Sequence, residues 1–343
     1  MKCIESLCRC LAGRMLIPWR RFMNKREKFD RNRAKGMLWG LIVGDAFGSP
    51  VQFMGKDSHP WITEMVACPI FGLPPGYWTD DGSMALCIMD SYVRKGGYNL
   101  KDIAETFVKW IGEGYLSSID GRSFDVGCAT HDSLTVFADT GSLVNGREES
   151  QGNGSIMRFA PSYLIARALG RPEIIHEVSD VTHASATVRK VCDRFASVLD
   201  EHFVGMRTKT GPGKELARAN VNNSGWAVST LQSALWAFNT TETFEDGLIA
   251  AVNLGGDADS IGAVYGQIAG AYYGFDAIPE RWVKAVKTWK KVDALIEQFL
   301  KGVAKQLGCD VAARVDARPL GARGARALPI GGLKNEVRGV FFV

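Results

Sequence analysis

Gly36-Met-Leu-Trp-Gly40-Leu-Ile-Val-Gly44-Asp-Ala-Phe-Gly48 sets a glycine at every fourth position of an otherwise apolar run. A second run repeats the pattern with Gly262, Gly266, Gly270 and Gly274. Residues four apart share one face of a helix, and glycine inside a helix costs about 1 kcal/mol relative to alanine. Two registers of four glycines therefore need a compensating gain. A face without side chains offers one, because it lets two backbones approach closely. The spacing predicts two helices packed tightly at the centre of a bundle. A membrane-spanning GxxxG pair is excluded, since Asp45 interrupts the first run and both are too short to cross a bilayer.

Working outward, helical periodicity dominates the chain. Helices are expected near 33–47, 83–95, 100–112, 128–138, 155–169, 174–181, 185–204, 225–238, 244–253, 260–273 and 280–304. Alternating β-branched runs between turn signals are nearly absent, so the fold class is all-α. Turns are marked by Gly72-Leu-Pro-Pro-Gly76, by Thr140-Gly-Ser142 and by Gly211-Pro-Gly213. No repeat period and no linker divides the middle of the chain. The reading is a basic extension over 1–32, one domain over 33–305 and a disordered tail over 306–343, where alanine, arginine and glycine dominate without a period.

The 343 residues can bury a sizeable core, and 46% hydrophobic with 23% charged residues is the composition of a soluble globular protein. No apolar run reaches 18 residues, so no membrane span is expected. The net charge of +4 conceals an asymmetry. Residues 1–35 hold eleven Lys/Arg against three Asp/Glu, a net +8 on a mildly acidic body. Such an arm is by default a solvated surface; its sharper reading is attraction to an acidic partner or to lipid head groups. Glu5, Arg9 and Arg14 rule out a secretory leader, and Cys3, Cys8 and Cys10 form only a weak acylation pattern. The eight cysteines contain no CxxC pair, which fits reduced thiols and a cytoplasmic location better than zinc or a disulfide scaffold. No nucleic-acid partner is expected.

Two acidic clusters open helix-like runs: Thr79-Asp80-Asp81 and Gly255-Gly256-Asp257-Ala258-Asp259-Ser260. Carboxylates crowded together repel and lose hydration unless a cation holds them. Hydroxyls and carboxylates without Cys or His make a hard oxygen set, suited to Mg²⁺ or Mn²⁺ rather than zinc. A single Asp at either place would read as a helix cap, but a cap needs one residue and both places show a tandem. The two clusters must meet, with the glycine-faced helices beneath them.

Gly44-Asp45-Ala46-Phe47-Gly48, Thr79-Asp80-Asp81, Gly152-Asn153-Gly154-Ser155-Ile156-Met157-Arg158, Thr182-His183 and Gly255-Gly256-Asp257-Ala258-Asp259-Ser260 occur in the order found in the ADP-ribosylglycohydrolases, which the chain resembles over roughly residues 34–300. The resemblance implies a compact orthogonal helical bundle with a binuclear metal cleft and two Mg²⁺ ions. Thr79, Asp80 and Asp81 would hold the metals from one side, and Asp257, Asp259 and Ser260 from the other. It also implies that Asn153, Gly154, Ser155, Ile156 and Met157 meet the ribose and diphosphate. His183 would lie near the phosphates, and Asp125 and Gly127, in Asp125-Val126-Gly127, near the scissile ribose. A helix starting at about Ser155 would offer its amides to phosphate oxygens; the plain alternative is a Gly-Asn turn with Ser155 as cap. Arg158 would brace this loop from behind by a salt bridge.

One position departs from the family pattern. Many relatives have Glu in Pro-Val-Glu-Phe, where this chain has Pro50-Val51-Gln52-Phe53. An amide cannot act as a general base, so either a metal-bound water activated by an Asp, with Asp80 and Asp81 the expected activators, carries the reaction or activity is reduced; Gln52 stands with these two as the candidate catalytic residues. The expected activity is Mg²⁺-dependent removal of ADP-ribose from mono-ADP-ribosylated protein side chains, with arginine ahead of serine as the linkage. The competing class is an immunity protein that binds a cognate ADP-ribosyltransferase toxin through the basic extension, with or without hydrolysis. A metal-free structural relative is disfavoured because all six ligand positions remain.

Overall fold

The computed structural model describes residues 29–203, 213 and 215–308. Most of the basic extension, the Gly211-Pro-Gly213 turn save Gly213, and the tail beyond residue 308 lie outside the described residues. Among those described there are twelve α-helices and no strand; the only β pairings are the isolated bridges Cys68–Leu73 and Gly152–Trp226. In chain order the helices are α1 (Arg31–Gly48), α2 (Asp80–Lys95), α3 (Leu100–Glu113), α4 (Cys128–Thr140), α5 (Phe159–Leu169), α6 (Ile174–Asp180), α7 (Ala186–Phe203), α8 (Ala227–Thr240), α9 (Phe244–Val252), α10 (Ala258–Tyr273), α11 (Glu280–Ala285) and α12 (Trp289–Gln306).

Helices α1 and α10 form the buried axis of the molecule. Every residue of α1 from Gly36 to Gly48 is buried, and so is α10 from Ala258 to Ala271. Their glycines meet in pairs whose order shows the helices to be antiparallel. A Cβ built on Gly36 would lie 2.5 Å from the Gly270 carbonyl oxygen, one on Gly40 2.1 Å from that of Gly266, and one on Gly44 2.1 Å from that of Gly262. The ridge differs from the expected one at its two ends. Gly48 faces Ala258, and Gly274, whose backbone carbon shares the Gly36 contact with Gly270, has the Asn32 side chain against its own Cα. Helices α8 and α9 flank α10, while α2 packs on α3 and α12.

Two expected helices have other boundaries. The segment 280–304 is two helices, because Thr288 takes a left-handed φ of 51° between them. The break occurs where Lys287 N–H donates to the Gly76 carbonyl (2.9 Å) and the Gly76 backbone presses on Ala285. That contact with a distant loop outweighs an uninterrupted helical periodicity. The helix expected from Ser155 begins only at Phe159. Cys68, Cys87, Cys128 and Cys192 are free thiols. Among the described residues, no helix is long and apolar enough to cross a membrane.

Candidate active site

The site is built on two helix N-termini brought together by the central axis. Helix α2 starts at Asp80 with Thr79 before it, and α10 starts at Ala258 with Asp257 before it. Carboxylate oxygens of Asp80, Asp81 and Asp259 lie within 4.8 Å of one another, all three residues being buried. The hydroxyls close the gap between the clusters: Thr79 Oγ1 is 3.4 Å from Asp259 Oδ2, and Ser260 Oγ is 3.4 Å from Asp81 Oδ1. Asp257 stands at the rim, half-buried, where its carboxylate accepts from the Asn153 amide. The two clusters singled out in the sequence therefore converge.

Four acidic groups in so little water cannot all carry charge unaided. Burial pushes Asp80, Asp81 and Asp259 well above the usual carboxylate range, and repulsion from neighbouring carboxylates adds to it. Burial also raises Asp257 and Asp125. Asp81 Oδ2 and Asp259 Oδ1 are buried without a hydrogen-bond partner. An orphaned carboxylate oxygen is costly in a protein interior. Two such atoms in one hard-oxygen cluster fit a divalent cation, whose charge would answer both the repulsion and the missing partners. Carboxylates and hydroxyls alone do not distinguish Mg²⁺ from Mn²⁺.

The segment Gly152-Asn153-Gly154-Ser155-Ile156-Met157 borders the acidic cluster through Asn153, which also donates to Thr230 Oγ1 (2.9 Å). It is a series of turns, and this corrects the expected helix-end cradle. The amides of Ile156 and Met157 turn back on the Asn153 carbonyl at 2.9 and 3.1 Å and are not free for phosphate. Ser155 caps no helix; its hydroxyl pairs with that of Ser179 at 2.7 Å. The Ile156 and Met157 side chains are buried, and their carbonyls accept from Gln267 Nε2, each at 3.0 Å.

Arg158 does brace this segment from behind, but by hydrogen bonds and stacking rather than the expected salt bridge. Its guanidinium is fully buried, donates to the Gly154 carbonyl and to Thr182 Oγ1 (2.8 Å), and lies over the Phe107 ring. His183 packs under the same loop, with its ring so close to Gly154 that a Cβ there would lie 2.4 Å from Cε1. Burial, with Arg158 beside it, holds His183 down to about 3, so the imidazole is neutral. Its Nδ1 pairs with Thr182 Oγ1 at 2.8 Å.

On the opposite rim, Gln52 Nε2 donates to Asp125 Oδ2 at 2.9 Å. Asp125 has a left-handed φ of 56°, and Gly127 is the exposed residue preceding α4. Gln52 itself is 1% exposed, and its Oε1 has no partner.

Two residues that organise the site were given no role in it from the sequence, although Asp45 lies in the quoted Gly44–Gly48 motif. Asp45 is buried on α1, and Gln267 is buried on α10 and clamps the 156–160 backbone. Each is the lone polar residue in a run otherwise apolar, a signal that was available. An exposed tryptophan, Trp226, bonded through Nε1 to Gln151 beside the loop, left no such mark.

The chain as a whole is similar to known proteins. The family model for ADP-ribosylglycohydrolase matches residues 26–308. The chain belongs to the ADP-ribosylglycohydrolase family. Its members are hydrolases of ADP-ribose glycosidic linkages. The chain is 33% identical to ADP-ribosylarginine hydrolase Tri1 of Serratia proteamaculans, over 80% of each protein. It is 30% identical to the ADP-ribosyl-[dinitrogen reductase] glycohydrolase of Rhodospirillum rubrum, covering 79% of this chain and 93% of that one. A solved structure described as an ADP-ribosylglycohydrolase-related protein complex superposes with a TM-score of 0.67 at 33% identity, covering 80% of this chain and 98% of the other.

Proposed function

We propose that this ADP-ribosylglycohydrolase removes ADP-ribose from mono-ADP-ribosylated arginine side chains of a protein substrate, with two divalent cations, Mg²⁺ or Mn²⁺, in the acidic cleft. The observation that carries the reading is the convergence of Asp80, Asp81 and Asp259, with two buried carboxylate oxygens lacking partners. The arginine linkage is supported by the relatives from Serratia proteamaculans and Pseudomonas putida, both named ADP-ribosylarginine hydrolases.

Thr79, Asp80, Asp81, Asp257, Asp259 and Ser260 would hold the cations. Cations bound there supply fixed positive charge that anchors vicinal ribose hydroxyls and lowers the pKa of water. The turns from Asn153 to Met157 orient the nucleotide, with Arg158 and His183 keeping them in place from below. Asp80 and Asp81, expected as bases, are committed to the cluster. Asp125 is the remaining carboxylate at the rim, so it takes the proton of the water that adds to the ribose anomeric carbon as the bond from that carbon to the arginine nitrogen breaks, and gives it to the departing guanidine. Gln52 serves it by fixing Oδ2 through the amide, while Asp259 lies against the same carboxyl and ties it to the cluster. Positioned bases of this kind contribute typically 10²–10⁴-fold.

The test is hydrolysis of ADP-ribosyl-arginine and ADP-ribosyl-serine proteins by the full chain, with Mg²⁺ and with EDTA. Release from arginine that EDTA abolishes is expected; faster release from serine would reassign the linkage, and EDTA-resistant release would remove the metal. The eleven basic residues of 1–35 favour one further role, docking on an acidic ADP-ribosyltransferase toxin. Toxin binding that weakens with salt and is lost with residues 1–28 would support it.

A further inference from the structure

We propose that Asp45 is the positioning residue that sets the orientation of the metal-ligating ends of α2 and α10 relative to each other. The inference rests on the metal reading above. Thr79 precedes α2 but makes no side-chain cap to it. The cap comes instead from another helix. Asp45 Oδ1 accepts from the Thr79 backbone N–H and from Thr79 Oγ1, each at 2.9 Å; Oδ2 accepts from Gly82 N–H at 2.7 Å and is 3.0 Å from the Thr79 nitrogen. Both carboxylate oxygens are spent on the first turn of α2, from within a fully buried position on α1.

A cap in trans has two consequences for the cluster. Asp80 and Asp81 are released from capping duty and face the cleft. The Thr79 hydroxyl gives its proton to Asp45, so its lone pairs face Asp259 Oδ2 at 3.4 Å. Two acceptors in that relation repel unless a cation lies between them, which is the arrangement a ligand pair needs.

Helix α1 fastens the other half of the site over the same turn. Gly44, adjacent to Asp45, lies against Gly262, and Gly48 lies against the start of α10. A Cβ on Gly48 would be 2.3 Å from the Ala258 carbonyl oxygen and 2.6 Å from the Cα of Asp259. One turn of one helix thus holds the Thr79-Asp80-Asp81 end by a carboxylate and the Asp259-Ser260 end by backbone contact. Groups that orient metal ligands in this way typically cost 10–100-fold in metal affinity when replaced.

The experiment is calorimetric titration of metal-stripped full-length protein with Mg²⁺, with metal-free melting recorded alongside. Asp45→Asn keeps the shape but turns one acceptor into a donor that meets the N–H of Thr79 or Gly82. Its Mg²⁺ dissociation constant is expected to rise roughly 10–100-fold. Gly82→Ala keeps the charge and crowds it, since the new Cβ would lie 2.9 Å from Asp45 Oδ2 and 2.8 Å from the Trp78 ring. It should weaken Mg²⁺ in the same direction and decides the matter if Asp45→Asn does not fold. Lower metal-free melting with a dissociation constant within twofold of the parent in the folded variants would make Asp45 a structural cap only and overturn the proposal. A parent that binds no Mg²⁺ would overturn the metal reading and this inference together.

Discussion

Gln52 shows how much of the site depends on single atoms. Its amide reaches Asp125 Oδ2 at 2.9 Å, a bond from a neutral donor to an acidic group at the border of a crowded carboxylate cluster. A glutamate at this position has no proton to donate at neutral pH. It would also set a further negative charge against Asp125, which burial already holds above its ordinary value. Gln52→Glu should therefore destabilise the metal-free protein by about 1–3 kcal/mol at pH 8, the range for losing a hydrogen bond to a charged buried group. Added Mg²⁺ should recover most of that loss, because the new carboxylate faces the cation cluster. Urea unfolding of both proteins with EDTA and with Mg²⁺ measures it. Equal stability without metal would mean that the Gln52–Asp125 bond contributes nothing.

Among the elements, the α1–α10 pair makes the sharpest claim. Alanine is a better helix former than glycine by about 1 kcal/mol, so propensity alone predicts that Gly40→Ala stabilises. Packing predicts the reverse, since the new methyl would sit 2.1 Å from the Gly266 carbonyl oxygen, and backbone cannot swing aside as a side chain can. Overpacking costs typically 1–3 kcal/mol and occasionally more, so Gly40→Ala should lose about 2 kcal/mol net in chemical denaturation. A more stable variant would disprove the close approach. This pair was legible in the sequence because its cause is a period, as were eight further helices and the joint span of α11 and α12. The onset of α5 at Phe159 was not, since it is set by Gln267 reaching across from α10 to the Ala160 N–H and the Ile156 and Met157 carbonyls. The break between α11 and α12 escaped for the same reason, a contact with the distant Gly76. The acidic clusters were readable as tandems, whereas the organising role of Asp45 appears only when α1 and α2 are seen side by side.

At the scale of the molecule, folding gathers into one cleft acidic groups that the unfolded chain keeps apart, and this links stability to pH and metal. A carboxyl whose folded value lies above its unfolded one holds its proton more tightly in the folded state. The stability this contributes is complete below about 4 and is lost as pH rises through the folded value. Asp80, Asp81 and Asp259 are all raised in this way. His183 acts oppositely: held down to about 3, it adds stability as pH climbs toward its unfolded value near 6.5 and nothing beyond. Above pH 6.5 the carboxyls therefore dominate this balance, and metal-free protein should melt lower as pH rises. Cations compete with protons for the same oxygens. The rise in melting temperature caused by Mg²⁺ should accordingly be small at pH 5.5 and large at pH 8, and groups remote from the cleft, such as His176 beside Asp193, cancel in that difference. Asp259→Asn removes one charge from the cluster. Without metal at pH 8 it should melt above the parent, and it should gain little from Mg²⁺. A Mg²⁺ effect independent of pH, or one that survives Asp259→Asn intact, would place the cation elsewhere and leave the crowding of these carboxylates without a physical reason.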